Sequence, residues 1–211
     1  SYPLHIGRKS LTKIGILGTY QNSDDYLYIN GFKSANISTN KITAVRISLD
    51  GYNSDRFKTD QFALKVSQGI PGDDLETWEI PSNPESEENW TSANLFLSRS
   101  QRLGKSNSVI SFKGFGQYAE TGLPVPEQIG YGGQSFGRGF NNTAFMGDNG
   151  AMGEVELSST FYGDNTSITP FAFYDYGWTS MNKAESLTEE TGSTYGFGLR
   201  TSLGTGFEIQ A

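Results

Sequence analysis

Apolar and polar residues alternate along most of this chain, which is the pattern of β-strands whose two faces meet different surroundings. Val45 and Ile47 share one face of the segment Ile42–Gly51, for example, while Arg46 lies on the other face. The clearest alternation occurs in Ile42–Gly51, Asp60–Gln68, Ser108–Tyr118, Ala151–Phe161 and Tyr195–Leu203. It is weaker in Leu11–Gln21, Tyr26–Phe32, Ser92–Gln101, Ile168–Tyr176 and Gly206–Ala211. The pattern predicts about ten strands, each near the ~9–11 residues that a tilted strand needs to cross a bilayer.

Short and long connections alternate between the predicted strands. The short ones are Asn22–Asp25, Tyr52–Thr59, Leu103–Asn107, Tyr162–Thr166 and Gly204–Thr205. The long ones are Lys33–Lys41, Gly69–Thr91, Ala119–Gly150 and Gly177–Ser193. Tight turns on one rim and long loops on the other are typical of an up-and-down membrane β-barrel. A soluble β-sandwich also has short strands, but its crossing connections give no reason for this regularity, so the pattern favours the barrel.

The chain begins and ends inside strand patterns. Alternating apolar residues occupy the first six positions, and another alternating set runs up to Ala211. An unpaired strand edge is costly in lipid. The N-terminal residues also lack the basic and apolar regions of a signal peptide. We therefore expect residues 1–211 to be a fragment of a barrel domain, about ten strands of a larger number.

Composition and charge exclude several other classes of function. The 211 residues include 26 glycines and 13% aromatic residues, which suits an all-β protein rich in turns. The net charge of −7 argues against a nucleic-acid partner. The chain has no cysteine and a single histidine, His5, so thiolate metal sites and a histidine-based catalytic triad are not expected. We predict a protein that is not an enzyme and that holds no metal or cofactor.

A glycine-rich segment, Tyr131–Phe140, lies in the middle of the longest connection. Its glycines include Gly133, Gly137 and Gly139, and they allow a compact loop from which Arg138 projects. If the loop folds into the barrel, the guanidinium needs acidic partners, because an unpaired buried charge is costly. Candidate acidic partners on the next two strands are Glu154 and Glu156, which share the non-lipid face, and Asp175, which shares one face of its strand with Phe173. A fork from Arg138 to Asp175 would pin the loop, and a solvated loop is the alternative.

These residues resemble a known family. "YGGQSFGRGF" followed by "GDNGAMGEVELS", "ITPFAFYDYGW" and "YGFGLRTSLGTGFEIQA" is similar to the haemolysin-activator family, the outer-membrane transporters of two-partner secretion. The resemblance implies that Arg138, Gly139 and Phe140 fill the last three positions of a loop motif that folds into the lumen. It also implies that Phe173 and Asp175 form the matching strand motif. Gly137 stands where that family usually has valine.

The same resemblance implies the architecture of the whole transporter. Family members have a sixteen-stranded barrel preceded by two periplasmic POTRA domains that capture the exported protein. We expect this chain to be the C-terminal part of such a barrel, without the POTRA domains and without some of the strands. The implied activity is secretion, with activation, of a large exoprotein such as a haemolysin or adhesin. The implied setting is the bacterial outer membrane, with lipid and the exoprotein as partners and a monomeric pore.

Other features have simpler interpretations. The acidic segment between Gly72 and Trp90 lacks the spacing of a calcium loop and is interpreted as a solvated outer loop. Gly147 and Asp148 predict a turn that leads into the next strand and could help to hold the loop. Glu154 and Glu156 would lie about 7 Å apart on one strand face, a spacing that inverting glycosidases also use. No sugar-stacking cleft accompanies them, which disfavours that alternative.

Three further functions stay open at this point. A barrel-assembly factor of the same superfamily would share these motifs. A passive porin would share the barrel but would not support secretion. A soluble sugar-binding β-sandwich would need no detergent to remain in solution.

Overall fold

Most of the described strands belong to one antiparallel sheet, and two short strands form a second, smaller one. The structure is a computed structural model and describes residues 1–72, 83–84, 86–182, 189–203 and 207–210. The strands are β1 (Tyr2–Ile6), β2 (Ser10–Ile29), β3 (Phe32–Ser54), β4 (Lys58–Gly69), β5 (Thr91–Arg102), β6 (Ser108–Ala119), β7 (Ile129–Tyr131), β8 (Phe145–Gly147), β9 (Asn149–Ser159), β10 (Phe161–Tyr162), β11 (Thr166–Ser180), β12 (Glu189–Leu203) and β13 (Phe207–Gln210). One 3₁₀ helix, Val125–Glu127, precedes β7.

Neighbouring strands of the sheet are neighbours in sequence. The order is β1-β2-β3-β4-β5-β6-β9-β11-β12-β13, with β10 paired to β11, and all these pairs are antiparallel. The short strands β7 and β8 form a separate hairpin inside the connection from β6 to β9. The prediction of an all-β, up-and-down antiparallel barrel fragment with about ten strands is confirmed. In the described part of the chain, no helix is long and apolar enough to cross a membrane.

The sheet exposes apolar side chains on one face and buries polar side chains on the other, which is the reverse of a water-soluble protein. Large apolar side chains stand exposed on the outer face, and Leu97 is 52% and Phe197 91% accessible. Polar and charged side chains are buried on the inner face, where Asn94 is 6% and Glu154 5% accessible. This arrangement suits a wall with lipid outside and a polar interior, because a barrel strand alternates between these two surroundings.

The first hairpin differs from the sequence prediction. Leu11–Gln21 and Tyr26–Phe32 were expected to be two strands joined by a turn at Asn22–Asp25, with Lys33–Lys41 as a long link. The structure instead has one continuous strand, β2, and Lys33–Lys41 lies inside β3. The polar run at 22–25 resembles a turn, but the strand accommodates it through register shifts just after it.

The β2–β3 turn lies at Asn30 and Gly31 instead. Both have positive φ, +53° and +82°, and Asn-Gly is the preferred pair for a two-residue hairpin turn. The last register pair between β3 and β4 is Ala44 with Gly69, so β2 and the N-terminal half of β3 extend past the end of β4. The hairpin therefore projects beyond the neighbouring strands.

The long link predicted at Gly177–Ser193 is also shorter than expected, because β11 continues to Ser180 and β12 begins at Glu189. The other described connections keep the predicted alternation of short and long. One rim carries the turns at 55–57 and 103–107, and the other carries the connections at 70–90 and 120–148. Part of the acidic segment, residues 73–82 and 85, lies outside the described residues, as do the turn predicted at 204–205, Gly206 and Ala211. The long connection at 120–148 positions the residues that the sequence analysis singled out.

Candidate functional site: the loop on the inner face

The connection between β6 and β9, residues 120–148, folds back onto the inner face of the sheet, and we call it the inner loop. Its tip closes with backbone hydrogen bonds from Gly132 N to Phe136 O (3.1 Å) and from Gly133 N to Gly137 O (3.2 Å). Phe136 is buried beside Ile129 and Tyr131, against Met152 of β9. The inner loop therefore has its own apolar core against the wall.

Two of the predicted loop glycines have backbone conformations that side chains disfavour. Gly133 has φ +102° and Gly137 has φ +77°. A Cβ at Gly137 would also lie 2.9 Å from Cζ of Tyr131. The departure from the valine usual in the resembling family follows from this conformation, because a β-branched residue is strained at positive φ. Gly139 has another role, since a Cβ there would meet the Thr194 side chain of β12.

Arg138 at the tip joins a buried cluster of charges. Its Nη2 donates to Oε2 of Glu154 at 2.7 Å, and its Nη1 donates to Oε2 of Glu156 at 3.0 Å. Lys113 of β6 contacts Oε1 of Glu154 at 2.9 Å. Arg200 of β12 forks onto Glu156 at 2.7 and 2.9 Å. Three cations thus share two buried carboxylates, which compensates for removing the carboxylates from water.

Two phenylalanines of β11 complete the surroundings of the guanidinium groups. The guanidinium carbon of Arg138 lies 4.3 Å from the ring centroid of Phe173, and that of Arg200 lies 4.0 Å from the ring of Phe171. Strand register explains the convergence, because Phe173 pairs with Glu156 across the β9–β11 ladder. Cation–π contacts of this kind strengthen when they are shielded from water.

Asp175 lies outside this cluster, and the expected fork from Arg138 to Asp175 is not formed. The carboxylate is fully buried and accepts hydrogen bonds on Oδ1 from the Tyr131 hydroxyl at 2.7 Å and from the Thr194 hydroxyl. Arg138 is paired with the two glutamates of the neighbouring strand β9. Asp175 therefore accepts from another residue of the same loop, Tyr131. The strand aspartate still contacts the loop, but through a tyrosine.

Sequence reasoning did not single out Tyr131 as a contact residue. Its ring fills a hollow over Gly177 of β11 and Gly192 of β12, which are directly paired in the ladder. A Cβ at Gly192 would lie 2.9 Å from the tyrosine ring. Burial and the adjacent Asp175 raise the pKa of Tyr131 above its ordinary value, so its hydroxyl remains a donor. Paired glycines on adjacent strands indicate room for a large side chain above them. Sequence alone does not show that Gly177 and Gly192 are paired, because the strand register is needed for that.

Gly147 and Asp148 form the turn where the inner loop returns to the wall. Asp148 is fully buried, and its Oδ1 accepts from the backbone N–H of Leu123 (2.8 Å) and from Nε2 of Gln128 (3.1 Å). Its Oδ2 accepts from the backbone N–H of Asn182 (2.7 Å), beyond the end of β11. A Cβ at Gly147 would overlap the β11 backbone. The turn thus ties both ends of the inner loop to the rim.

Comparisons with known proteins agree on one family. The family model described as "Haemolysin secretion/activation protein ShlB/FhaC/HecB" matches residues 3–201. The chain is 28% identical over 163 residues to the hemolysin transporter protein ShlB of Serratia marcescens, covering 75% of this chain and 28% of that protein. The solved structure of CdiB from Escherichia coli superposes with a TM-score of 0.72 at 18% identity, covering 96% of this chain and 37% of that one.

The chain thus spans 28% and 37% of the lengths of these two relatives, and the CdiB likeness establishes the fold. The family match covers nearly the whole chain, including the inner loop and the strands that hold Arg138. The chain belongs to the haemolysin secretion/activation family of two-partner secretion transporters.

Proposed function

We propose that this chain supplies part of the wall and the inner loop of an outer-membrane pore that secretes a large exoprotein and delivers it in active form. The observation that carries the proposal is the charge cluster of Arg138, Glu154 and Glu156, which seats a loop on the polar face of a barrel wall. A haemolysin or adhesin is the proposed class of cargo, since the relative in Serratia marcescens is a hemolysin transporter.

The two faces of the sheet support the membrane setting. The exposed apolar outer face contacts lipid of the bacterial outer membrane, and the polar inner face lines the path of the cargo. The polar path suits an unfolded polypeptide, whose backbone groups need hydrogen-bond partners throughout transit. Each pore works as a monomer in this proposal, because a closed barrel needs no partner subunit to complete its wall.

Passage of the cargo requires the tip of the inner loop to move off the wall. The contacts of Arg138 suit this role, because water and the cargo can replace ion pairs and cation–π contacts one by one. The glycines around Arg138 let the backbone rearrange without side-chain clashes. Folding of the exoprotein outside the cell then gives the direction of transport, with no nucleotide consumed.

Replacement of Arg138 by alanine in the full-length polypeptide tests the proposal. We expect secretion of the exoprotein to fall at least tenfold while the amount of folded barrel in the outer membrane stays unchanged. Arg56→Ala is the matched control, because Arg56 lies in the exposed turn on the opposite rim. Immunoblots of culture medium and of outer membranes give both quantities. Wild-type secretion by the Arg138→Ala variant would contradict the proposed role of the cluster.

A further inference from the structure

A second ion pair holds the inner loop at a place that the Arg138 cluster does not reach. Glu127 ends the 3₁₀ helix of the loop, and Arg46 projects from the inner face of β3. Arg46 Nη2 lies 2.6 Å from Oε1 of Glu127, and its Nη1 donates to Oε2 at 2.9 Å. The same Nη1 donates to Oγ of Ser67 on β4 at 3.0 Å. The pair is a two-pronged fork with both side chains largely shielded from solvent, 14% and 11% accessible.

An apolar cluster surrounds this pair. Ile42 and Ala44 of β3, Trp90 before β5, and Ala119 and Leu123 around the start of the loop pack together, all nearly inaccessible. The Arg46 guanidinium lies 6.0 Å from the ring centroid of Trp90. Removal of one partner from such a shielded pair leaves an uncompensated charge, which costs far more than loss of an exposed pair.

Side-chain amides connect the pair to the neighbouring strands. Gln117 of β6 donates to the backbone carbonyl of Glu127 at 3.0 Å and to that of Asp148 at 3.1 Å. Asn94 of β5 in turn donates to the Gln117 side chain. The first part of the loop is therefore bonded to β3 and β6, and side chains of β4 and β5 hold Arg46 and Gln117 in place.

The tip of the loop is held by other strands. Its apolar core, which contains Tyr131 and Phe136, shares no residue with the cluster around Trp90. The polar partners of the tip lie on β9 and β11. The inner loop thus consists of two separately anchored parts, a base around Glu127 and a tip around Arg138.

We propose that Arg46 and Glu127 are positioning residues that hold the base of the loop on β3 independently of the tip. The base stays seated when the tip leaves the wall, so the tip moves as a tethered flap and returns to the same place after each cargo. This role rests on the proposed secretion function, but the independence of the two anchors does not.

Thiol labelling can measure the two anchors separately, because residues 1–211 contain no cysteine and any cysteine outside them is first replaced by serine. Leu123→Cys reports on the base and Phe136→Cys on the tip, since both side chains are buried. Each reporter is placed in the full-length polypeptide, reconstituted in liposomes, and its labelling rate with a water-soluble maleimide is recorded. A denatured sample gives the rate of the fully accessible thiol.

Arg46→Gln is expected to raise the labelling rate at the base reporter at least tenfold and to change the tip reporter less than twofold. Arg138→Gln is expected to give the reverse. The double exchange Arg46→Glu with Glu127→Arg restores slow labelling at the base, which a merely misfolded variant would not do. Equal acceleration of both reporters by Arg46→Gln, or no acceleration at either, would overturn the inference.

Secretion by the same variants separates this inference from the proposed function. Loss of secretion in Arg46→Gln, with recovery in the double exchange, supports a positioning role in transport. If the wild-type protein secretes nothing while the two reporters still respond independently, the proposed secretion function is wrong. The inference that the base and the tip are anchored separately is then still supported. If secretion is normal in the wild type and in Arg46→Gln, the positioning role is wrong.

Discussion

At the scale of single residues, the inner loop is held by a few buried polar groups with specific partners. Glu154 and Glu156 each accept from two cations, Asp175 accepts from a tyrosine and a threonine, and Asp148 accepts from two backbone N–H groups and an amide. Removal of one donor leaves a buried carboxylate with fewer partners, and a hydrogen bond to a charged group contributes more than one between neutral groups. Small substitutions at the donors therefore have large effects.

Tyr131→Phe isolates one of these donors. The variant keeps the ring over Gly177 and Gly192 but removes the hydroxyl that donates to buried Asp175. We expect the barrel to lose about 1.5–3 kcal/mol of stability, the usual value of a hydrogen bond to a charged group, while Thr194 still donates to the same oxygen. Urea unfolding of the full-length protein in detergent, followed by tryptophan fluorescence, measures this difference.

Tyr118→Phe serves as the comparison for that measurement, because Tyr118 is exposed on β6. Its expected effect is within about 0.5 kcal/mol, as for other surface substitutions. Equal stabilities of the Tyr131→Phe and Tyr118→Phe variants would show that the Tyr131–Asp175 bond contributes nothing to the seated loop.

The charged residues of the site could be predicted from the sequence. Many of the residue pairs that contact each other in the site could not. Strand alternation alone places Glu154 and Glu156 on the non-lipid face, and a glycine-rich loop with one arginine predicts a cation that needs them. The contact of Tyr131 with Asp175 and the pair of Arg46 with Glu127 join residues 44 and 81 positions apart. Such pairs depend on how the loop crosses the sheet, which no local pattern encodes.

At the scale of elements, alternation locates strands well where the two faces differ strongly. The wall strands β4, β5, β6 and β9 agree with their predicted segments to within a few residues. The prediction failed in β2 and β3, where the polar run at 22–25 resembles a turn and the real turn at Asn30–Gly31 lay inside the predicted strand Tyr26–Phe32. This hairpin rises past β4, so its sequence is not constrained to alternate between lipid and lumen.

The β2–β3 turn is a test of this element. Replacement of both Asn30 and Gly31 by alanine forces two side chains with Cβ atoms and no local hydrogen-bonding group into positive φ. The cost is about 1–2 kcal/mol per residue. We expect faster hydrogen exchange in 26–35, with no change in β5 or β6, when exchange is followed by mass spectrometry. Lys105→Ala in the β5–β6 turn is the control.

Unchanged exchange throughout the β2–β3 hairpin in the double-alanine variant would contradict the turn at Asn30–Gly31. Loss of protection in β5 and β6 as well would contradict the independence of the projecting hairpin from the wall. Protection of β9 and β11 in the same spectra distinguishes both outcomes from global unfolding.

At the scale of the whole molecule, the sheet reverses the usual distribution of apolar and charged side chains. Its outer face exposes large apolar groups from β2 to β12. Its inner face gathers five charged side chains in one cluster, of which Glu154 and Glu156 are buried and Lys113, Arg138 and Arg200 are partly exposed. The sequence pattern predicts this two-faced sheet, because strand alternation has a period of two whatever surrounds the sheet. The two-residue alternation does not show whether lipid or water covers the outer face, so this question needs a direct test.

A charge on the outer face distinguishes lipid from water there. Leu97 lies near the middle of β5 and is 52% accessible on the outer face. In lipid, Leu97→Arg should cost about 2–4 kcal/mol, the value for arginine near the bilayer midplane. Leu97→Ala at the same position removes the apolar contacts without adding a charge and should cost less. If the outer face met water, the arginine would be tolerated like other surface substitutions, within about 0.5 kcal/mol. Folding of the full-length variants into phospholipid vesicles, followed by urea titration, gives both values, and equal stability of Leu97→Arg and wild type would refute the lipid-facing assignment.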